Sequence, residues 1–126
     1  MRELSEGVPG RGLATHVLVD CWGVEPALLD DPHRLEQLLR DAAAVARCEV
    51  LDAARHHFTP QGVTVVLLLA ESHLAIHTWP EHRYASVDLL TCGQALPREG
   101  VDALVKALAP ARSERRVFDR GIVQPR

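Results

Sequence analysis

Over residues 15–24 apolar and polar side chains alternate with period two, placing His16, Leu18, Asp20 and Trp22 on one face and Val17, Val19 and Cys21 on the other. That is the pattern of a half-buried strand. The spacing then turns helical: Asp31 stands as an N-cap before Pro32, and Leu35, Leu38, Leu39, Ala42 and Ala46 share one face. Glu36 and Arg40 are placed to pair on its solvent side. Residues 48–58 predict a second strand, "TPQG" a turn, and the continuously apolar "VTVVLLLA" a central strand. Residues 74–79 and 84–92 predict two more strands around Pro80 and a charged connection. Residues 98–109 put Val101, Leu104, Val105 and Leu108 on one helical face, and 115–123 predict a last strand. The residues before Thr15 read as a Gly/Pro-rich leader.

This order predicts an α+β fold, a two-layer α/β sandwich with helices on one face of a mainly antiparallel sheet. The other face needs cover, which predicts a homodimer. A single domain spanning residues 1–126 is expected, since single cores usually run to roughly 100–200 residues.

Composition removes several classes of function. With a net charge of -3, a pI near 6.1 and few aromatic residues, the chain offers no basic field for nucleic acid. Its longest apolar run, residues 63–70, is far short of the roughly 18–20 residues that span a bilayer, and "MRELSEGVPGRG" lacks an apolar signal core. A cytoplasmic protein with no membrane partner is expected. Cys21, Cys48 and Cys92 are odd in number and show no CxxC spacing, against a disulfide framework or a structural zinc site.

The polar residues with chemical potential cluster after the apolar run, in "LLLAESHLAIHTWPE". His73 and His77, four apart, would share a ligand on a helix, but Ile76, Thr78 and Trp79 favour strand, so structural histidines are the simpler reading. Ser72 sits at a polar corner, where serine serves as a turn residue or as a nucleophile. Cys92 ends an apolar strand before a glycine, as a small hydrophobe or a reactive thiol. His56 and His57 point to opposite faces of an extended segment and cannot share one simple site.

Taken together, "ESHLAIHTWPE" followed by "YASVDLLTCG" resembles the prokaryotic short-chain S-adenosylmethionine decarboxylase proenzymes. The likeness extends to "THVLVDCWGV" and "HHFTPQGVT", and so to about residues 14–120. The resemblance implies that the chain cuts itself between Glu71 and Ser72 into a β chain of residues 1–71 and an α chain of residues 72–126, and that Ser72 becomes a pyruvoyl cofactor. It assigns His77 as processing base, Thr64 as a processing hydroxyl where many relatives carry serine, and Cys92 as proton donor in turnover. Such a cofactor forms a Schiff base with the substrate amine and needs neither a metal nor pyridoxal phosphate. For the substrate, S-adenosylmethionine, the resemblance implies Phe58 under the adenine and Glu81 on the ribose, in sites that the partner subunit of a homodimer of processed protomers helps to form. The product, S-adenosylmethioninamine, feeds spermidine synthesis.

Arg55, Val65 and "EHRY" depart from the common family pattern, and relatives with the same self-processing motif decarboxylate L-arginine or L-ornithine, which stands as the alternative. A non-enzymatic or metal-binding relative would be indicated by loss of Ser72, His77 or Cys92. All three are present.

Overall fold

The computed structural model describes residues 2–6 and 12–123. The elements follow as β1 (Arg2–Glu6), β2 (Gly12–Trp22), α1 (Pro26–Leu29), α2 (Pro32–Val45), β3 (Glu49–His57), β4 (Val63–Ala70), β5 (Ser72–Trp79), a 3-10 turn (Pro80–His82), β6 (Tyr84–Thr91), α3 (Pro97–Leu108) and β7 (Arg112–Ile122). The strands form one sheet in the order β1-β7-β2-β6-β5-β4-β3. Every pairing is antiparallel except that of β1 with β7.

Helix α2 starts where the sequence predicts: Asp31 Oδ1 accepts the Arg34 N–H at 3.0 Å, and Pro32 occupies the first turn, where its missing N–H costs nothing. Arg40 donates to Glu36 at 3.0 Å on the outer side. Leu35, Leu38, Leu39, Ala42 and Ala46 are all buried, together with Val101, Leu104 and Leu108 of α3. At Gly100 an added Cβ would lie 2.6 Å from Ala46 Cβ and 2.9 Å from the Ala42 carbonyl oxygen, so glycine sets how closely α3 approaches α2.

Both helices cover one face of the sheet. Val17, Val19, Val65, Leu67, Leu74, Ile76, Val87 and Leu89 fill the space beneath them, each worth roughly 1.5–3 kcal/mol in burial. Cys21 lies in this layer; burial, and then the nearby Asp20, push its thiol up to about 12. It is a small hydrophobe.

The opposite face carries the other half of each alternation, including His16, Leu18, Asp20 and Trp22 of β2 as the sequence predicts. Leu68 is 52% and Trp79 42% exposed there. Apolar side chains of this size on an uncovered face account for the continuous hydrophobicity of β4. β4 lies second from the edge, and β6 occupies the centre.

The main departure from expectation is β1, which falls within the segment read as a leader. Its residues show no apolar alternation. It joins the sheet by parallel pairing with β7, Arg2 opposite Glu114, and Glu3 bridges Arg98 at 3.2 Å and Arg115 at 2.8 Å. Residues 7–11 of that leader lie outside the described residues. At the other edge, β3 shifts register against β4 between Val50 and Asp52, the signature of a bulge. Among the described residues no helix is long and apolar enough to cross a membrane.

Candidate active site

The strand β5 has chemistry at both ends. At its start, only Glu71 separates it from β4, and the register sets Ser72 opposite Leu69 on the helix-covered side. The end of β6 lies alongside, His73 opposite Leu90, which brings Cys92 to the same corner. Arg47, Cys48, Glu71, Ser72, Thr91 and Cys92 line a cavity of about 120 Å³ there. Cys92 Sγ lies 3.6 Å from the Glu71 carbonyl oxygen and 3.6 Å from a Glu71 carboxylate oxygen. Partial desolvation, and then hydrogen bonding to Glu71 and its charge, hold the Cys92 thiol above its ordinary range. It therefore carries its proton at neutral pH. Cys48 is raised as well, by burial and then by the neighbouring Cys92.

At the far end of β5, His77 lies directly across from Thr64 of β4, His77 Nδ1 and Thr64 Oγ1 being 3.0 Å apart. Phe58, Gln61, Gly62, Thr64, His77, Thr78, Trp79 and Glu81 line a second cavity of about 340 Å³, within the usual range for small-molecule sites. Phe58 is 48% exposed, its ring 4.6 Å from that of His56 in an edge-to-face arrangement. His57 points to the opposite side of β3, as alternation requires, and approaches Asp30 at 2.8 Å.

Two hydrogen-bonded clamps, one buried at Thr78 and one partly exposed at Asp30, fix the walls of this cavity. Thr78 Oγ1 donates to the Leu29 carbonyl at 2.6 Å and accepts the Val63 N–H at 2.9 Å. Asp30 accepts the Gly62 N–H at 2.9 Å, and that bond, with His57 after it, holds the carboxyl below its usual range.

The seven residues singled out from the sequence thus form two groups: Glu71, Ser72 and Cys92 at one end, Phe58, Thr64, His77 and Glu81 at the other. Ser72 and His77 lie five positions apart on the strand, roughly 17 Å at about 3.3 Å per step, and they face opposite sides of the sheet. Within one chain they do not meet. Sequence reasoning missed Arg47, Cys48 and Thr91 as walls of the first cavity. Nothing in the local pattern marks them, because loop and helix end converge only in three dimensions.

His73 does not associate with His77. It joins His16 and Asp88 on the open face, where the three potential ligand atoms lie within 4.8 Å of one another. Asp88 Oδ2 is 3.0 Å from His16 Nε2 and 3.2 Å from His73 Nε2. Arg120 Nη1 sits 3.2 Å from His16 Nδ1; a guanidinium only donates, so Nδ1 is the acceptor and the ring proton resides on Nε2, aimed at Asp88. The geometry is that of a hydrogen-bonded trio.

A family model described as S-adenosylmethionine decarboxylase matches residues 15–121. An S-adenosylmethionine decarboxylase proenzyme of a Hydrogenobaculum species is 38% identical over 113 residues, 89% of this chain and 84% of that one. S-adenosylmethionine decarboxylase proenzyme 2 of Bacillus cereus is 45% identical over 108 residues, 85% of this chain and 88% of that one. The crystal structure of the adenosylmethionine decarboxylase from Aquifex aeolicus superposes with a TM-score of 0.85 at 36% identity, covering 93% of this chain and 98% of the other. Both the sequence and the seven-stranded fold therefore place this chain in the S-adenosylmethionine decarboxylase family.

Proposed function

We propose that this chain is a proenzyme that cleaves itself between Glu71 and Ser72 and, as a homodimer, decarboxylates S-adenosylmethionine to S-adenosylmethioninamine. The observation that carries the reading is the corner cavity, in which a protonated thiol lies 3.6 Å from the carbonyl oxygen of the bond to be cut.

Ser72 Oγ attacks the Glu71 carbonyl carbon, and the amide becomes an ester as the C–N bond breaks. Removal of the Ser72 α-proton then expels Glu71 as a carboxylate by breaking the Oγ–Cβ bond, leaving dehydroalanine. Water converts that residue to a pyruvoyl group and releases ammonia. The chain must supply a donor for the oxyanion and a base for the α-proton. Cys92 is close enough to the carbonyl oxygen to donate. His77, with Thr64 hydrogen-bonded to it, suits the base and relay, but only in a second chain, because the two ends of one β5 are too far apart.

The open face supports such a pairing. It exposes Leu68, Trp22 and Trp79, and sheets stack face to face about 10 Å apart. A two-fold axis running across the strands sets the Ser72 end of one β5 against the His77 end of the other. Each composite site then joins a small cavity fit for an amino-acid head to a larger one fit for a nucleoside.

The residues at the corner fit the cofactor: a serine half-buried at a strand start, an adjacent proton donor and room for only a few atoms. A pyruvoyl group there supplies an electron sink for decarboxylation of a bound α-amino acid, without metal or pyridoxal phosphate. Cys92 holds the proton delivered to the substrate's α-carbon. Phe58 presents an exposed face for the adenine and favours the neighbouring sulfonium. Glu81 accepts from the ribose hydroxyls. All the relatives named above are S-adenosylmethionine decarboxylases, and none of them supports the L-arginine or L-ornithine alternative.

Intact-mass measurement tests the processing: the purified chain is expected as two fragments divided at Ser72, and Ser72→Ala as one. Carbon dioxide release from S-adenosylmethionine, arginine and ornithine tests the substrate. A chain that stays whole, or one that decarboxylates only a simple amino acid, would overturn the corresponding half of the proposal.

A further inference from the structure

We infer that Arg47 receives the substrate's α-carboxylate, an assignment that rests on the decarboxylase reading above. Arg47 follows the last turn of α2, its N–H bonded to the Ala44 carbonyl at 3.1 Å, with φ of 60°. Helices commonly end on a residue in this left-handed conformation, and glycine holds it without penalty. Here a long, exposed cation holds it instead, in the lining of the cavity that also presents Glu71, Ser72 and Cys92.

Charge balance makes the position telling. Arg47 is the only cationic side chain among the lining residues, and Glu71 the only anionic one. Self-cleavage adds a second negative charge, the new α-carboxylate of Glu71. A cavity holding those carboxylates alone would repel a third, yet the substrate must bring one: its carboxylate shares a carbon with the amine that meets the group formed from Ser72.

The guanidinium is also available. Arg40 and Arg55 pair with Glu36, and Arg98 and Arg115 with Glu3. Among the described residues the Arg47 side chain takes part in no ion pair or hydrogen bond. Its planar fork matches a carboxylate through two parallel hydrogen bonds.

The chemistry dictates which kinetic constant responds. The carboxylate loses its charge as carbon dioxide departs, so the contact with Arg47 is stronger in the bound substrate than in the transition state. Arg47 serves binding and selection of α-amino acids more than the rate of the bond-breaking step.

Arg47→Gly provides the test, because glycine relieves the left-handed backbone and the variant should melt no lower than the wild type. Its KM for S-adenosylmethionine is expected to rise about tenfold or more, the usual loss for a charged hydrogen bond, with kcat unchanged or higher. Inhibition by S-adenosylmethioninamine, which lacks the carboxylate, should stay within about twofold of wild type. Arg47→Lys should recover part of the affinity and Arg47→Gln none. An unchanged KM, or equal weakening of substrate and carboxylate-free product, would overturn the assignment, as would failure of Arg47→Gly and Arg47→Gln to self-cleave. A wild-type chain that never cleaves or releases no carbon dioxide from S-adenosylmethionine removes the decarboxylase reading and this inference together, whereas the Arg47 outcomes bear on this inference alone.

Discussion

Two inactive variants, mixed, should restore self-cleavage. Ser72→Ala removes the attacking hydroxyl and His77→Ala the base, and each variant alone is expected to remain whole. In one chain these residues are roughly 17 Å apart along β5, many times the roughly 3 Å over which a proton passes between heavy atoms. Any site containing both must take Ser72 from one chain and His77 from the other. A mixed dimer then has one site with both residues intact and one with neither. Random pairing makes about half of the dimers mixed, so about half of the His77→Ala chains should be cut and none of the Ser72→Ala chains, leaving roughly a quarter of the wild-type number of working sites. Co-expression with tags of different mass, followed by intact-mass measurement, reads the first quantity, and carbon dioxide release reads the second. Mixed dimers visible by native mass spectrometry but wholly uncut would refute the shared-site geometry. Normal cleavage of His77→Ala alone would remove His77 from processing.

Three further outcomes follow from the site and its supports. Because Cys92 is held above the ordinary thiol range by desolvation and then by Glu71, its donating form persists at neutral pH and turnover falls only as pH climbs through that raised value; Glu71→Gln should move this alkaline limb downward toward the ordinary value near 8.5, measured on the cleaved fraction, and an unmoved limb would mean that another group titrates. Thr78→Val keeps the shape but strands the Leu29 carbonyl and the Val63 N–H, and should cost about 1–3 kcal/mol in urea unfolding; a neutral result would show that those groups find other partners. Asp30 has a depressed carboxyl in the folded chain, so its stabilisation is complete above the unfolded value near 3.9 and is lost as pH falls through the lower native one. Asp30→Asn should therefore lose less stability than wild type on acidification over that window, and parallel pH curves would contradict the linkage.

Much of this molecule is legible in the sequence where the causes are local. Asp31 and Pro32 mark the start of α2 because capping involves neighbours only, and the run from Val63 to Ala70 gives the bounds of β4 because its ends are a glycine turn and a polar corner. The pairing of Thr64 with His77 was also within reach: a tight turn at Ala70 and Glu71 fixes the hairpin register, and counting back from it places the two residues opposite each other. What stayed hidden depends on distant partners. β1 has no hydrophobic face of its own and becomes a strand only because β7, from the other end of the chain, offers an edge. Arg47 and the His16–Asp88–His73 trio are assembled by pairings that no spacing along the chain encodes. The motif around Ser72 points to the chemistry proposed above, but its halves read as one site, and the strand that joins them is what keeps them apart.

The two borders of the sheet bear on how copies of this chain meet. A strand edge with free backbone groups invites another strand to add to it, and repeated addition has no natural end. Here the β7 border is closed off by β1, whose Arg2 and Glu3 are charged and exposed. The β3 border is broken by its register shift and carries Glu49, Asp52 and Arg55, all exposed. Both borders are thus poor templates for strand addition, while the face that carries Trp22, Leu68 and Trp79 stays open. In the homodimer proposed above, stacking is the mode of association these borders favour, and a two-fold stack would use the exposed face of both members and leave none for a third.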